Sequence, residues 1–391
     1  MPKRKLSNVS QRKDGIFEAR QTFGYKSDGK PIRKSFYGKT ANEALKKLED
    51  YAKQVDNGLS LDSRSLTFGQ WLDIWLREYK LQNLRPTTYD TYENLIKVRI
   101  IPELGKHPLL KLRPDQLQTF INNLRKEDGS PLSTSTVRQI KVIISSALQQ
   151  AVKNGHITRN PADALSLPKL SKKTVRAFTR EEQSALLEAV RHHRLNALFV
   201  LALGTGARIG EILSATWKNV DFEMSEINIT TSISRTKDRN STGEAIGSSR
   251  KVDETKTRAG KRAIPLTKEV RAALIRHKQE QEIEREKACS AWVDNDLIFC
   301  TQLGGHLEYR NTVRLYENFR NSAELPALSF HSLRHSFATS AISAGVDYYY
   351  LSRIMGHNSI SITLDTYTDF MPDKSRSEMV KMEGILLLET A

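Results

Sequence analysis

One run of apolar residues constrains the middle of this chain more than any other feature. Phe68, Trp71, Leu72, Trp75, Leu76 and Tyr79 recur at i, i+3, i+4, i+7, i+8 and i+11, which puts them on one face of a helix. Three more helical patterns follow closely. Pro86 suits the first turn of a second helix through Tyr92 and Leu95. Pro114 opens a third, with Leu117, Phe120, Ile121 and Leu124 on one face. Ser133 to Asn154 gives a fourth, closed by Gly155. Four helices between residues 67 and 163 predict a compact bundle. Its stripe of Trp and Phe reads as core rather than as a platform for stacking bases.

The segments on either side differ in kind. Phe17, Ala19, Gln21, Phe23 and Tyr25 alternate as a strand does. Ser27-Asp28-Gly29-Lys30 is a turn signal, and Ile32 to Tyr37 can be the return strand. Thr40 and Glu43 fit a capping box ahead of a helix to about Val55. Residues 1–60 carry 14 Lys/Arg against 7 Asp/Glu. Asn57 to Ser65 reads as a linker. Leu165 to Ala177, with Lys169, Lys172, Lys173 and Arg176, reads as an extended basic connector, either laid along a phosphate backbone or a solvated tether. From Phe178 a larger domain begins. Thr179 and Glu182 form another capping-box pattern, and helical periodicity runs to Gly204. Ile227, Ile229, Thr231 and Ile233 alternate as a strand. A polar stretch spans Arg235 to Thr257. Ala263 to Leu266 suggests a returning strand, and helices dominate the rest. The expected architecture is multidomain α+β: a small β-sheet-plus-helix domain over 1–60, a four-helix domain over 67–163, and a mainly α domain with a small antiparallel sheet over 176–391.

Charge narrows the class of partner. The chain of 391 residues has a formal net charge of +16. Such a basic excess favours a polyanion, since each neutralised phosphate releases condensed counterions. The two cysteines, Cys289 and Cys300, form no CxxC or Cys/His cluster, which argues against a disulfide framework or structural zinc. MPKRKLSNVS is basic but leads into no apolar stretch, so no signal peptide is expected. No run approaches the ~18 apolar residues of a membrane span, and a cytosolic location is expected.

Four places in the last domain combine reactive residue types with tight turns. In Gly204-Thr205-Gly206-Ala207-Arg208-Ile209-Gly210-Glu211, two glycines precede an arginine, and Glu211 lies one helical turn beyond it. That spacing can present a guanidinium with a carboxylate holding it, although a surface Arg–Glu pair is the commoner outcome. In His331-Ser332-Leu333-Arg334-His335, His331 and Arg334 share one side of a helix start. His331 and His335 stand at i, i+4, but no Glu takes the position of the base in HExxH zinc enzymes, which argues against metal. Gly356-His357 follows the apolar pattern Leu351, Ile354, Met355. Tyr367 lies within Thr363-Leu364-Asp365-Thr366-Tyr367-Thr368-Asp369. Alone, a tyrosine means little, because most are half-buried packing residues.

Together and in this order, TGARIGE, HSLRH, MGH and TLDTYTD resemble the tyrosine recombinases, specifically the integrases of temperate phages and conjugative transposons. Each piece is weak; the four across about 160 residues, with Tyr367 ten positions after His357, are specific. The resemblance implies Arg208, His331, Arg334 and His357 as catalytic residues and Tyr367 as nucleophile. It also implies a hairpin lysine before an Ile-Pro-Leu strand. Lys256 fits best, Lys261 is the rival and Lys251 a distant third; the polar stretch is longer than in compact members. Asp369 stands where many relatives have histidine. The layout becomes an arm-type DNA-binding domain, a core-binding domain and a catalytic domain. Implied partners are double-stranded DNA with att-type core and arm sites, a homotetramer on that DNA, an excisionase and a host DNA-bending protein. No cofactor, metal or membrane is implied; the expected setting is a bacterial cytoplasm and its nucleoid. The apolar tail Met379 to Leu388 is expected to dock on a neighbouring protomer or on its own domain.

The set suits cutting and rejoining DNA. Two arginines can bind the oxygens of a phosphodiester on which attack builds charge. His331 and His357 can donate hydrogen bonds or move protons. Tyr367, with a free phenol pKa of ~10, needs help from nearby cations. Lys256 can protonate the departing 5′-oxygen; the resemblance then implies a 3′-phosphotyrosyl intermediate that conserves the bond, so rejoining needs no ATP. Two rivals remain: a type IB topoisomerase, which resembles this catalytic set, and a non-catalytic DNA-binding regulator, which would not need these residues together.

Overall fold

In the computed structural model, residues 9–25, 30–56, 66–168, 176–255 and 258–367 are described. The Ser27 to Gly29 part of the first turn, both linkers' centres, Lys256 and the tail from Thr368 lie outside them. The chain divides into two compact units: residues 1–172 with 236–248, and residues 173–235 with 249–391.

The first unit begins with an antiparallel sheet in the order β1 (Val9–Gln11), β2 (Phe17–Tyr25), β3 (Pro31–Gly38). β2 and β3 fall where alternation places them; β1, three residues long, does not show in the sequence pattern. The bulge between Thr22 and Gly24 interrupts the β2–β3 register. Helix α1 (Ala41–Asp56) covers one face, burying Ala44 and Leu48 against Ala19. At its start Thr40 Oγ1 accepts from the Glu43 N–H at 3.2 Å, while the Glu43 carboxylate accepts from Lys39 rather than from Thr40, at 2.9 Å.

Helices α2 (Phe68–Ile74), α3 (Pro86–Leu95), α4 (Ile101–Leu104), α5 (Pro114–Asn123) and α6 (Thr134–Lys153) enclose one core. The long stripe does lie inward: Phe68, Trp71, Leu72 and Trp75 are almost fully buried. Trp71 also donates through Nε1 to the Ala147 carbonyl at 2.8 Å, so its polar atom is satisfied where its ring is buried. The helix is not uniform, however. It widens to π geometry over Trp75–Lys80, as the second does over Ile96–Ile100.

The second unit contains α7 (Arg180–Ala189), α8 (Asn196–Thr205), α9 (Ile209–Leu213), strands β4 (Val220–Asp221) and β5 (Glu226–Ile229), then the antiparallel hairpin β6 (Thr231–Arg239) and β7 (Ala245–Glu254), whose turn end counts with the first unit. After β8 (Arg262–Pro265) follow α10 (Lys268–Ala288), α11 (Tyr309–Ser322), α12 (His331–Ser343), α13 (Tyr348–Met355) and α14 (Ile360–Tyr367). The periodicity expected through Gly204 is broken between α7 and α8. Arg194 in that break is held by Glu284 and by the Cys300 carbonyl, which replaces helical continuity with a long-range tie. The single strand expected over Ile227 to Ile233 is two strands: β5 pairs with β4 and β8, and β6 turns away to pair with β7. The polar stretch thus forms hairpin strands. Its side chains are mostly exposed, so it carries no apolar alternation to read. No helix among the described residues is long and apolar enough to cross a membrane.

Within the first unit, Glu93 of α3 accepts from Arg239 at 2.9 Å, Lys237 at 2.9 Å and Lys97 at 2.8 Å, with its side chain 7% exposed. Burial alone would raise its pKa; the three hydrogen bonds outweigh burial and bring it down from 4.5 to about 2. A lowered carboxylate pKa contributes stability above the ordinary value, lost as pH falls from 4.5 towards 2. Glu93→Gln should therefore destabilise the protein at pH 7, with the deficit shrinking across that window. Urea midpoints of both proteins measured at pH 7, 4 and 3 check this; a pH-independent deficit would contradict it.

Candidate active site

Four of the residues singled out by sequence line one cleft of about 490 Å³: Arg208, His331, Arg334 and His357. Local sequence explains how each arrives. Helix α8 ends at Gly206, whose φ of 63° is left-handed and whose missing Cβ leaves room for the Phe337 ring. The chain can then turn sharply, and Arg208 becomes the N-cap of α9. Its backbone N–H donates to Glu211 Oε2 at 3.0 Å and its guanidinium to Glu211 Oε1 at 2.8 Å. Arg208 stays 41% exposed along its side chain, so it can reach a ligand.

Glu211 is 3% exposed and serves a second arginine. Arg262, at the start of β8, donates to Glu211 Oε2 at 2.8 Å and to Oε1 at 3.3 Å. It also donates to the carbonyls of Gly260 and Ile354, at 3.0 and 2.5 Å. Burial would raise the Glu211 pKa; Arg262, then Arg208, outweigh that and hold it below its ordinary value. Arg262 escaped the sequence reading. Its signal was faint: a basic residue opening a short strand whose next alternate position, Ile264, is buried.

Arg334, on the first turn of α12, is 3% exposed and has no carboxylate partner among its hydrogen bonds. Nη1 donates to the Gly206 carbonyl at 2.7 Å, and Nη2 to that of Met355. Burial, then Arg208, push its pKa down to about 9. The group is still charged at neutral pH but is held at a cost that an anion would relieve.

The histidines occupy different places. His331 opens α12 at the cleft. Surrounding protein, then Arg334 and Arg208, hold its pKa below the ordinary value. Gly356, with φ 65°, caps α13 and leaves no room for a Cβ beside the Arg262 guanidinium and the Ala259 carbonyl. His357 follows, its Nδ1 2.7 Å from Thr363 Oγ1. Burial first, then Arg334, Arg208 and Arg262, push it down to about 4. His335, weighed in the sequence only as a metal ligand, lies one turn after His331, the rings edge-on at 4.8 Å.

Tyr367 is the last residue of α14, 1% exposed, and is not among the cleft's lining residues. It packs with Ala338, Ile342, Leu351 and Met355. Its hydroxyl lies 2.8 Å from His335 Nδ1. Burial raises its pKa to about 12, partly opposed by Arg334. Of the lysines, Lys256 lies outside the described residues, though its near neighbours Thr255 and Gly260 line the cleft. Lys261 is paired with Glu254 at 2.7 Å, and Lys251 is exposed on β7.

Chemically, the arrangement suits an anion: Arg208 and Arg262 share the Glu211 carboxylate, Arg334 is held by carbonyls at two helix ends, and imidazoles lie beside them. Arg262→Met should leave Glu211 with Arg208 alone and cost about 3 kcal/mol. The stranded carboxylate would then rise in pKa, so the deficit should ease as pH falls towards 4. Denaturant titrations at pH 7 and 5 test it; an unchanged midpoint would show that Arg262 does not support Glu211.

Residues 176–373 match the Phage integrase family and residues 67–125 the Phage integrase N-terminal SAM-like domain. A tyrosine recombinase XerC-like protein of Caldanaerobacter subterraneus subsp. tengcongensis is 29% identical, covering 98% of this chain and 100% of the relative. The ICEBs1 integrase of Bacillus subtilis is 24% identical, covering 97% and 100%. Among solved structures, the Tn1549 transposon integrase with a circular intermediate DNA superposes with a TM-score of 0.65 at 24% identity, covering 81% of this chain and 100% of that one. The lambda integrase tetramer bound to a Holliday junction gives 0.57 at 19%, covering 90% and 96%. These structural likenesses concern the fold.

Proposed function

The chain belongs to the phage integrase family of tyrosine recombinases, enzymes of site-specific recombination, and from that premise we propose that it integrates and excises a mobile element through a 3′-phosphotyrosyl intermediate. The observation that carries this reading is the pairing of Arg208 and Arg334 in one cleft, with Arg334 lacking a carboxylate partner among its hydrogen bonds, and the Tyr367 hydroxyl of α14 against His335, the residue that follows Arg334. Two guanidiniums can grip the non-bridging oxygens of a scissile phosphate and stabilise the charge that builds there. His331 and His357, neutral at physiological pH, each have an N–H to donate to the same oxygens. Tyr367 forms the new O–P bond as the bond from phosphorus to the 5′-oxygen breaks.

The leaving 5′-oxygen needs a proton, and Lys256 is its source in this reading. The position of Thr255 and Gly260 on the cleft wall supports Lys256 over Lys261, which is already engaged with Glu254. The three-part layout supports recombination over topoisomerase activity: residues 1–60 take arm-type sites, 67–163 the core site, and 176–391 catalyse. Four copies would act together on att-type DNA, with an excisionase and a host DNA-bending protein setting direction. The net charge of +16 supports the polyanionic partner.

Two substitutions test this. Tyr367→Phe should bind a nicked suicide duplex bearing the element's junction sequence yet form no covalent adduct. An adduct with the Phe variant would remove Tyr367 as nucleophile, and adducts formed equally on unrelated plasmid DNA would favour a topoisomerase. Lys256→Ala should slow cleavage by about 10²–10⁴-fold, the usual contribution of a general acid. A sulfur in place of the bridging 5′-oxygen should restore the rate, because a thiolate leaves without a proton; failure of that rescue would reassign the lysine.

A further inference from the structure

The reading of Tyr367 as nucleophile leaves one question open: what takes its proton. The hydroxyl is buried, so bulk water is not at hand. Of the three imidazoles nearby, two are committed elsewhere. His331 lines the cleft where the phosphate would sit, and His357 spends Nδ1 on Thr363. The third, His335, has no place on the cleft wall, and its Nδ1 is 2.8 Å from the Tyr367 oxygen. The two rings meet edge to face, with centroids 5.7 Å apart. Resting on that reading of Tyr367, we propose that His335, rather than His331 or His357, is a further catalytic residue, the acceptor of the Tyr367 proton during strand cleavage.

The protonation states fit. Burial, then His331 and Arg334, press the His335 pKa down to about 4, so the ring is neutral. Burial keeps Tyr367 protonated, with a pKa of about 12. A protonated phenol donates, so Nδ1 accepts and the imidazole proton resides on Nε2. At rest the pair stays un-ionised, because proton transfer across such a gap is steeply uphill. Phosphate binding changes the balance. A phosphodiester held by Arg208 and Arg334 offsets the positive charge that depresses His335, and the imidazole becomes a better base. Forming the O–P bond drains charge from the phenol oxygen, and its proton becomes acidic.

The step balances. The Tyr367 O–H bond breaks and its proton goes to His335 Nδ1. The oxygen's electron pair forms the bond to phosphorus. The bond from phosphorus to the 5′-oxygen breaks, and that oxygen leaves with a proton from Lys256. On rejoining, the 5′-hydroxyl gives its proton back to the lysine, attacks phosphorus, and Tyr367 departs with the proton held by His335.

The test uses the full chain and the nicked suicide duplex. His335→Gln keeps a hydrogen-bond acceptor but cannot take a proton. It should bind the duplex as tightly as the unsubstituted protein yet form the adduct about 10²–10⁴-fold more slowly. Difluorotyrosine at position 367 lowers the phenol pKa and should restore most of the rate in the His335→Gln background. Imidazole added to His335→Ala should do likewise through the space vacated. A merely structural role would respond to neither. The proposal is overturned if His335→Gln forms adduct at the unsubstituted rate, or if neither the fluorinated phenol nor imidazole restores a slow variant. If the unsubstituted protein forms no adduct at all, the reading of Tyr367 is what falls.

Discussion

One buried carboxylate sets the charge balance of this site. Glu211 accepts from both Arg208 and Arg262, and among the described residues no second acid lines the cleft. Removing Glu211 would leave three mutually repelling guanidiniums without a carboxylate between them. Adding a second acid would satisfy them and abolish their need for a ligand. One carboxylate among three cations leaves the pocket assembled but electrostatically incomplete, and in the proposed reaction a phosphodiester would supply the missing charge.

Arg334 shows how that excess is tolerated. Its guanidinium is held by backbone carbonyls at the ends of two helices, Gly206 at the close of α8 and Met355 at the close of α13. Helix C-termini carry partial negative charge and unsatisfied carbonyls, so both gain by capping a cation. Such partners orient the group without neutralising it. Both helices end in glycine with positive φ, at 206 and 356, and each of those turns also delivers the next functional residue, Arg208 or His357. The same turns therefore end the helices, hold Arg334 and place its neighbours.

This explains which parts were legible in the sequence. Arg208 and His357 sit beside turns whose glycines are visible, Glu211 follows Arg208 at helical spacing, and Arg334 follows His331 at i, i+3. The helical bundle was legible because its Trp and Leu stripe is one-sided. Arg262 and His335 were not. Arg262 acts on groups at Glu211 and Ile354, far away in sequence, and nothing local marks it. His335 reads as half of an i, i+4 histidine pair until α14 brings Tyr367 against it. The break between α7 and α8 was also hidden, since it depends on Arg194 meeting Glu284 about ninety residues on. Local periodicity reports a side chain's face, not its long-range partner.

Tyr367 and the arginines are separated by burial as much as by position. The arginines meet the cleft, where an anion lowers their free energy; the phenol lies in an apolar cluster of Ala338, Ile342, Leu351 and Met355, where ionisation is penalised. A phenol with a pKa near 12 is inert towards stray electrophiles at neutral pH. If Tyr367 is the nucleophile, its reactivity would depend on the same anion that completes the arginine cluster, since Arg334 acts on Tyr367 and His335 alike and His335 meets His331 edge-on. Under the proposed function, substrate binding and nucleophile activation would be one electrostatic event, which is what an enzyme needs if it must not break DNA that it cannot reseal.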